Sequence, residues 1–343
     1  MKLAIIGCGL IGRKRALALG RDDVLVACCD TNEASARKFS EEFKCKAYTD
    51  HKKLISENDF DVAIVAVVNK YAKGIVVDAL KARRHVLAEK PLGRNVSEAA
   101  EMLAALPFPR PPSPTVPKSL PLLLLKTGFN HRFHPGVCKA KELLDAGEIG
   151  EPFNIRAAYG HGGRPGMEKE WRASRELCGG GELLDQGVHI IDLIRWFGGE
   201  ISELTGNVET KFWDMEVEDN AYAIAKTEKG VTASFHVSWT NWKNVFSFEI
   251  FGTQGYLKIT GLGGSYGLES LEIGRRKKEG GRPDIEMFEF PPEDVSWKEE
   301  WKEFKSAISQ NREPLGNGYD GLMANKIIEA IYKSSIEKRM VTL

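Results

Sequence analysis

The sequence predicts an α/β protein in two parts. An N-terminal domain is built on a parallel sheet covered by helices on both sides; a C-terminal α+β domain is built on a large, mostly antiparallel open sheet. Three observations carry this. Over residues 1–100 short apolar runs alternate with helix-like stretches, from about residue 151 strands follow one another through short turns, and a proline-rich stretch separates the two patterns. The length agrees, since 343 residues exceed the roughly 150 of one ordinary domain. The expected division is 1–126, including the loop 107–121, and 127–343.

Each element has its own justification. Residues 3–6, 24–29, 62–68 and 85–88 are continuously apolar, as strands buried on both faces must be. Residues 10–20, 32–43 and 71–83 carry helical spacing between them, and strand–helix alternation implies a parallel sheet. Seven of the chain's 15 prolines fall within 107–121. Each removes a donor and restricts its predecessor, so a semi-rigid extended loop is expected there rather than a helix. Strand character resumes over 122–125. Further on, 153–159, 221–227, 231–239, 245–251 and 256–260 read as strands. Glu228-Lys229-Gly230 and Gly252-Thr253-Gln254-Gly255 are hairpin signals between them. Helices are expected at about 182–197, 297–310 and 320–337.

Composition excludes several function classes. Hydrophobic residues make up 42% and charged residues 28% of the chain, an ordinary globular mix. Lys plus Arg and Asp plus Glu are 48 each, so the bulk cation excess of a non-specific nucleic-acid binder is missing. The basic run Arg275-Arg276-Lys277-Lys278 is followed by Glu279 and two glycines and reads as a solvated turn. No apolar run reaches the roughly 20 residues of a membrane helix. Ile5-Ile6-Gly7-Cys8 looks like a lipoprotein cleavage box, but the apolar stretch before it is shorter than the ~7–15 residues of a signal peptide. Arg13-Lys14-Arg15 also follow at once. The six cysteines form no Cys-x-x-Cys pair, which argues against a disulfide framework or zinc ribbon and fits a reducing, cytoplasmic compartment.

Gly7-Cys8-Gly9-Leu10-Ile11-Gly12 fits G-x-G-x-x-G. With 34 glycines the pattern alone is weak, but here it joins a strand to a helix, and the next strand ends in Asp30. Gly7 permits the tight turn, Gly9 lets backbone approach a pyrophosphate, and Gly12 lets helix and strand pack closely. The helix N-terminus at Leu10 and Ile11 faces the anion. Asp30 is placed to accept from a ribose and to repel a 2′-phosphate, and Thr31-Asn32 offer no adjacent cation. NAD is therefore expected over NADP.

Two further clusters carry chemistry. Glu89-Lys90-Pro91 follows the fourth apolar strand, and ligands are handled at the carboxyl ends of parallel strands. Lys90 there can stabilise a developing alkoxide. In Gly179-Gly180-Gly181-Glu182-Leu183-Leu184-Asp185-Gln186-Gly187-Val188-His189, a helix starting near Glu182 puts Asp185 and His189 on one face. A histidine there suits acid/base work, and a carboxylate can orient it. Asp192 is a rival for the orienting role. No third metal ligand is identifiable, so no metal is expected. His131 and His134 read as polar pocket residues.

Taken with Gly128-Phe129-Asn130-His131-Arg132-Phe133 and the C-terminal Ile331-Tyr332-Lys333-Ser334-Ser335, these clusters resemble the Gfo/Idh/MocA (glucose-fructose oxidoreductase / inositol dehydrogenase) family. The resemblance implies a Rossmann domain followed by an α/β domain whose open sheet often mediates oligomerisation. It makes Lys90, Asp185 and His189 the catalytic trio, and Lys90-Pro91 a candidate cis peptide. Asn69 and Glu89 join the glycine loop, Asp30 and Lys90 at the cofactor. After the third strand this chain has Val68-Asn69-Lys70-Tyr71 where the family usually has a Thr or Pro. Tyr159-Gly160-His161-Gly162-Gly163-Arg164-Pro165-Gly166, Trp171-Arg172 and the segment 213–220 look like a subgroup acting on sugars or nucleotide sugars. Asn130, Arg132, His161, Arg164, Trp171 and Arg172 are then the substrate-binding residues.

The implied activity is an NAD-dependent hydride transfer between a secondary alcohol and the nicotinamide. An NAD-dependent glycosidase using transient oxidation, or a non-catalytic nicotinamide-binding regulator, are the alternatives. Strands apolar on both faces predict a homodimer or homotetramer through the C-terminal sheet.

Overall fold

The computed structural model describes residues 1–107 and 122–343; apart from Pro107, the loop expected at 107–121 lies outside the described residues. Two compact units are present. The first comprises Met1–Phe129 with Trp297–Met323, the second Asn130–Ser296 with Ala324–Leu343.

The first unit holds strands β1 (Lys2–Ile6), β2 (Val24–Cys29), β3 (Lys46–Tyr48), β4 (Val62–Val65), β5 (His85–Ala88) and β6 (Leu125–Thr127). They form one sheet in the order β3-β2-β1-β4-β5-β6, parallel throughout. The apolar runs are continuous because both faces are covered. Ala4 and Ile6 pack with Ala63 and Val65 in one core, while Leu3 and Ile5 pack with Val62 and Ile64 in the other. Helices α1 (Leu10–Leu17), α2 (Glu33–Phe43), α3 (His51–Glu57), α4 (Asn69–Lys81) and α5 (Val96–Ala104) connect the strands. Asn32, Asp50 and Asn95 cap α2, α3 and α5 by accepting from backbone N–H groups of the first turn, each such cap contributing about 1 kcal/mol.

One expectation changes here. The division at 126/127 treated the C-terminal part as continuous, yet Trp301, Phe304 and Ala307 of the helix Ser296–Ser309 complete a core of the first sheet. Trp301 Nε1 also donates to Asp23 at 2.6 Å. The apolar stripe of that helix is plain in the sequence; which sheet it covers is not.

The second unit holds β7 (Pro152–Gly160), β8 (Ile201–Glu209), β9 (Asn220–Thr227), β10 (Thr232–Ser238), β11 (Val245–Gly252), β12 (Gly255–Thr260), β13 (Ser270–Arg275), β14 (Asp284–Glu289) and β15 (Val341–Thr342). Their order is β14-β13-β12-β11-β7-β10-β9-β8-β15, antiparallel except for the β7–β10 pair. All five expected strands are present. β8, β13, β14 and β15 are additional to those expected; in β14 nearly all residues are exposed, leaving no apolar alternation to read. The basic run closes β13 at Arg275 and continues into the turn before β14.

Helices α6 (Pro135–Asp145), α7 (Arg175–Cys178) and α8 (Val188–Gly198) belong to this unit. The helix expected over 182–197 is in fact a π-helical turn, Leu183–Gly187, continued by α8. Such turns recur at functional positions. α8 is buried on almost every side, which requires its polar residues to be partnered. Arg132 takes Asp192 with bonds of 2.8 and 2.6 Å, and Arg195 takes Glu200 with bonds of 2.9 and 2.6 Å.

Candidate functional site

The glycine loop of the first unit has the steric logic its motif demands. Gly7 has φ +103°, and a Cβ there would lie 2.0 Å from the Ala66 carbonyl oxygen. A Cβ on Gly12 would lie 1.9 Å from the Gly7 oxygen. At Gly9 a Cβ would meet nothing within 4 Å, so the backbone there faces open space. Gly9 opens α1 without a side-chain cap, and the first turn has no acidic residue. Its amide N–H groups are therefore available to an anion, with Leu10 exposed and Ile11 half-buried alongside. Asp30 Oδ2 accepts from Cys8 N and Oδ1 from Asn32 N, both at 2.9 Å. The carboxylate thus braces the loop, and its remaining lone pairs suit ribose hydroxyls. These residues fit a dinucleotide.

Asn69 opens α4 just beyond β4, and Glu89-Lys90-Pro91 follow β5, with Lys90–Pro91 cis. Lys90 is half-buried. Glu89, expected at the cofactor, is engaged by Arg15 of α1 at 2.6 Å; the same guanidinium takes Glu300 at 2.5 Å. Burial pushes the Glu89 carboxyl above its ordinary range, with the Arg15 charge opposing. Gly128 is needed beside this pair, since its Cβ would come within 2.7 Å of Arg15. Sequence reasoning missed Arg15 and Glu300, since Arg15 meets Glu89 and Glu300 across 74 and 285 positions.

In the second unit, two residues the sequence did not single out explain the glycines at 180 and 181. A Cβ on Gly181 would lie 1.9 Å from the Glu218 carbonyl oxygen, and one on Gly180 2.2 Å from the Tyr332 hydroxyl. One oxygen of the buried Glu218 carboxyl accepts from Gly181 N (2.9 Å), Leu183 N (3.2 Å) and the Tyr332 hydroxyl (2.7 Å). Burial raises the Glu218 carboxyl, and the Tyr332 and backbone bonds oppose it. Glu218 and Tyr332 therefore fix the start of the turn that carries Asp185. Both lie in segments the sequence motifs mark, 213–220 and 331–335, but no spacing within those segments singles out these two side chains.

Asp185 is reached by Arg172, whose Nε lies 3.3 Å from Oδ2. His189 is buried in α8. Its ring is stacked on that of His131, centroids 3.7 Å apart at 18°. Asn130 touches His131 and donates to Ser296 Oγ at 2.9 Å. Arg132 is buried against Asp192, which commits the rival carboxylate to a structural ion pair. His134 bonds Glu269 at 3.1 Å.

The remaining expected lining residues lie together near Asp185. Arg164 pairs with Glu170 through two bonds of 3.0 and 2.6 Å. Arg172 sits over the Trp171 ring at 4.4 Å, with Glu170 at 4.0 Å from its guanidinium. His161 Nδ1 accepts from Gly163 N at 2.9 Å, leaving its hydrogen on Nε2. Burial holds the His161 imidazole below its usual range, Asp185 opposing and the two arginines assisting. Tyr159 and Tyr266 face this region; burial pushes the Tyr266 phenol up to about 12. Among the described residues no group of three or more His, Cys, Asp or Glu is arranged to hold a metal ion, and no helix is long and apolar enough to cross a membrane.

Comparison with known proteins bears on both halves. Residues 1–107 match the family model described as "oxidoreductase family, NAD-binding Rossmann fold", and residues 137–258 match the "GFO/IDH/MocA C-terminal domain". The myo-inositol 2-dehydrogenase of Thermotoga maritima is 28% identical over 356 aligned positions, spanning 100% of this chain and 98% of that protein. The levoglucosan dehydrogenase of Pseudarthrobacter phenanthrenivorans is 23% identical over 74% of this chain and 72% of its own. Among solved structures, a levoglucosan dehydrogenase in complex with NADH superposes with a TM-score of 0.87 at 21% identity, over 100% of this chain and 98% of that one. A probable dehydrogenase from Thermotoga maritima gives 0.79 at 26% identity, over 100% and 99%.

Proposed function

Because the chain belongs to the GFO/IDH/MocA oxidoreductase family, we propose that it is an NAD-dependent dehydrogenase acting on a secondary alcohol of an uncharged sugar or cyclic polyol. The observation that carries the substrate class is the charge balance around Asp185. Arg172 and Arg164 are each held by carboxylates, and His161 is a neutral Nε2–H donor. Such a lining offers hydrogen bonds to hydroxyls and an aromatic face at Trp171, and the charges of its two arginines are already balanced by carboxylates. Nucleotide sugars are the less favoured substrates on this ground. The named relatives that oxidise inositol and levoglucosan support the same class.

When bound, the nicotinamide supplies the hydride chemistry. The chain's residues supply the rest. Gly7, Gly9 and Gly12 with the first turn of α1 hold the pyrophosphate, and Asp30 holds the adenosine ribose. Arg37, the first cation after Asp30 in the chain, is paired with Glu33 at 2.9 Å, which supports NAD over NADP. A ring nitrogen of His189 takes the substrate hydroxyl proton, Asp185 orients that ring, and Lys90 stabilises the developing alkoxide. Arg132, buried on Asp192, supports the helix rather than the ligand. Intact Lys90, Asp185 and His189 favour an enzyme over a nicotinamide-binding regulator.

We also propose that the protein is a cytoplasmic homodimer or homotetramer. Ile224 is 60% exposed and Tyr222 43% exposed on the outward face of β9, where a partner copy would cover them.

A panel of neutral sugars, inositols and nucleotide sugars, scored for NADH formation, tests this reading. Turnover is expected with uncharged polyols and with NAD. Turnover confined to nucleotide sugars, or hydrolysis of a glycoside without net NADH, would overturn it.

A further inference from the structure

We propose that His131 is a positioning residue for His189: the two stacked imidazoles take up at most one ionising proton as a pair, and His131 thereby sets the plane and the pH at which His189 exchanges a proton. The proposal rests on the reading of His189 as the acid/base.

His131 lies in the single helical turn Asn130–Phe133, and its ring is parallel to that of His189 at 3.7 Å. It is boxed by the edges of Tyr159 (5.2 Å), His134 (5.5 Å) and Phe246 (5.9 Å). Asn130 fixes its tautomer. The Asn130 amide nitrogen donates to Ser296 Oγ, which turns the amide oxygen toward His131 Nδ1 at 3.3 Å. An amide oxygen only accepts, so this network assigns the hydrogen of neutral His131 to Nδ1. A ring held in this way cannot turn, and the ring stacked on it is held in plane too.

The spacing also constrains charge. Two imidazolium ions 3.7 Å apart at a buried site repel strongly. One imidazolium over the face of a neutral aromatic ring is attracted. When His189 takes a proton, neutral His131 is thus a favourable neighbour, and a charged His131 would oppose the transfer.

Other titratable and charged groups lie on the elements around the pair. The π-helical turn contributes Asp185, with Glu182 just before it, and α8 contributes Asp192, neutralised by Arg132. The sheet side contributes Tyr159, with Tyr266 beyond it at 5.4 Å. Behind His131 stands His134, with Glu269 at 3.1 Å and Asp294 at 3.9 Å.

The first test uses the wild-type protein without substrate. Imidazole NMR signals of His131 and His189, assigned with single-site variants, should report uptake of a single ionising proton by the pair over about pH 5–8. Two independent one-proton transitions would overturn the proposal. The second test is His131→Phe, which keeps a flat ring and removes its titratable nitrogens. The acid limb of kcat/KM should move to higher pH by about half a unit or more, because the pure hydrocarbon face favours the His189 cation. His131→Ala, which removes the plane as well, should lower kcat about tenfold with KM little changed. A His131→Phe protein whose NMR titration and pH profile both superpose on wild type would reduce His131 to packing. A variant whose His189 signal shifts while its kinetic profile does not would uphold the stacked pair and overturn His189 as the acid/base.

Discussion

Replacing Glu218 by Ala should destabilise the second unit by about 3–5 kcal/mol. The carboxyl is buried, and one of its oxygens accepts three bonds, from Gly181 N, Leu183 N and the Tyr332 hydroxyl. Truncation leaves those three donors buried without an acceptor, at roughly 1–3 kcal/mol each. Two effects keep the total toward the lower half of that sum. Removing the carboxyl also relieves the burial cost that raises it, and water can enter the vacated volume. Glu218→Gln keeps an acceptor oxygen in place and should cost about 1 kcal/mol; Tyr332→Phe removes one donor of the three and should cost about the same. Urea unfolding followed by a tryptophan signal measures all three. Because this carboxyl sets the start of the turn carrying Asp185, Glu218→Ala should also lower kcat while leaving NAD affinity near wild type. A loss below about 1 kcal/mol for the Ala variant, or equal losses for Ala and Gln, would refute the three-donor account.

Three other outcomes are expected. Asp30→Ala should weaken NAD binding in calorimetric titration more than loss of ribose bonds alone, because the carboxylate also holds Cys8 N and Asn32 N; unchanged NAD affinity would count against both roles. Burial depresses His85, His161 and His236. A depressed histidine stabilises the fold above its unfolded value of about 6.5, and that contribution is lost as pH falls below it, so Tm should drop between about pH 7.5 and 5.5 and recover on return. Light scattering at micromolar protein should give a dimer or tetramer mass, and Ile224→Lys on the outward face should shift it toward the monomer; a monomeric wild type would remove that proposal.

Much of the fold was legible because period and burial coincide. The strands of the first sheet are apolar at every position since both faces are covered, and β9 alternates buried Ala221, Ala223 and Ala225 with exposed Tyr222 and Ile224. The glycine loop was legible from its motif spacing: Gly12 packs on Gly7 within one turn–helix unit, whereas the close contact of Gly7 with Ala66, beyond β4, is long-range. What escaped notice is long-range. Arg15 meets Glu300 across 285 positions, Tyr332 meets Glu218 across 114, and His131 stacks on His189 of a different element, with no spacing rule linking any of the three pairs. Arg132 and Glu89 drew functional expectations from motif position, while the structure buries each against a partner of opposite charge. β14 gave no signal because exposure erases alternation.

Hydride transfer from a sugar carbon is the central claim, and isotope transfer tests it most directly. A neutral polyol that supports turnover is prepared with deuterium at the carbinol carbon and incubated with enzyme and NAD, and the nicotinamide product is weighed by mass spectrometry. The account predicts one deuterium per NADH formed. It also predicts that His189→Asn lowers the rate of that transfer by about 100- to 10,000-fold, the usual worth of a general base, with NAD binding unchanged. Deuterium retained in a hydrolysed sugar product or lost to water, with none in NADH, would contradict it.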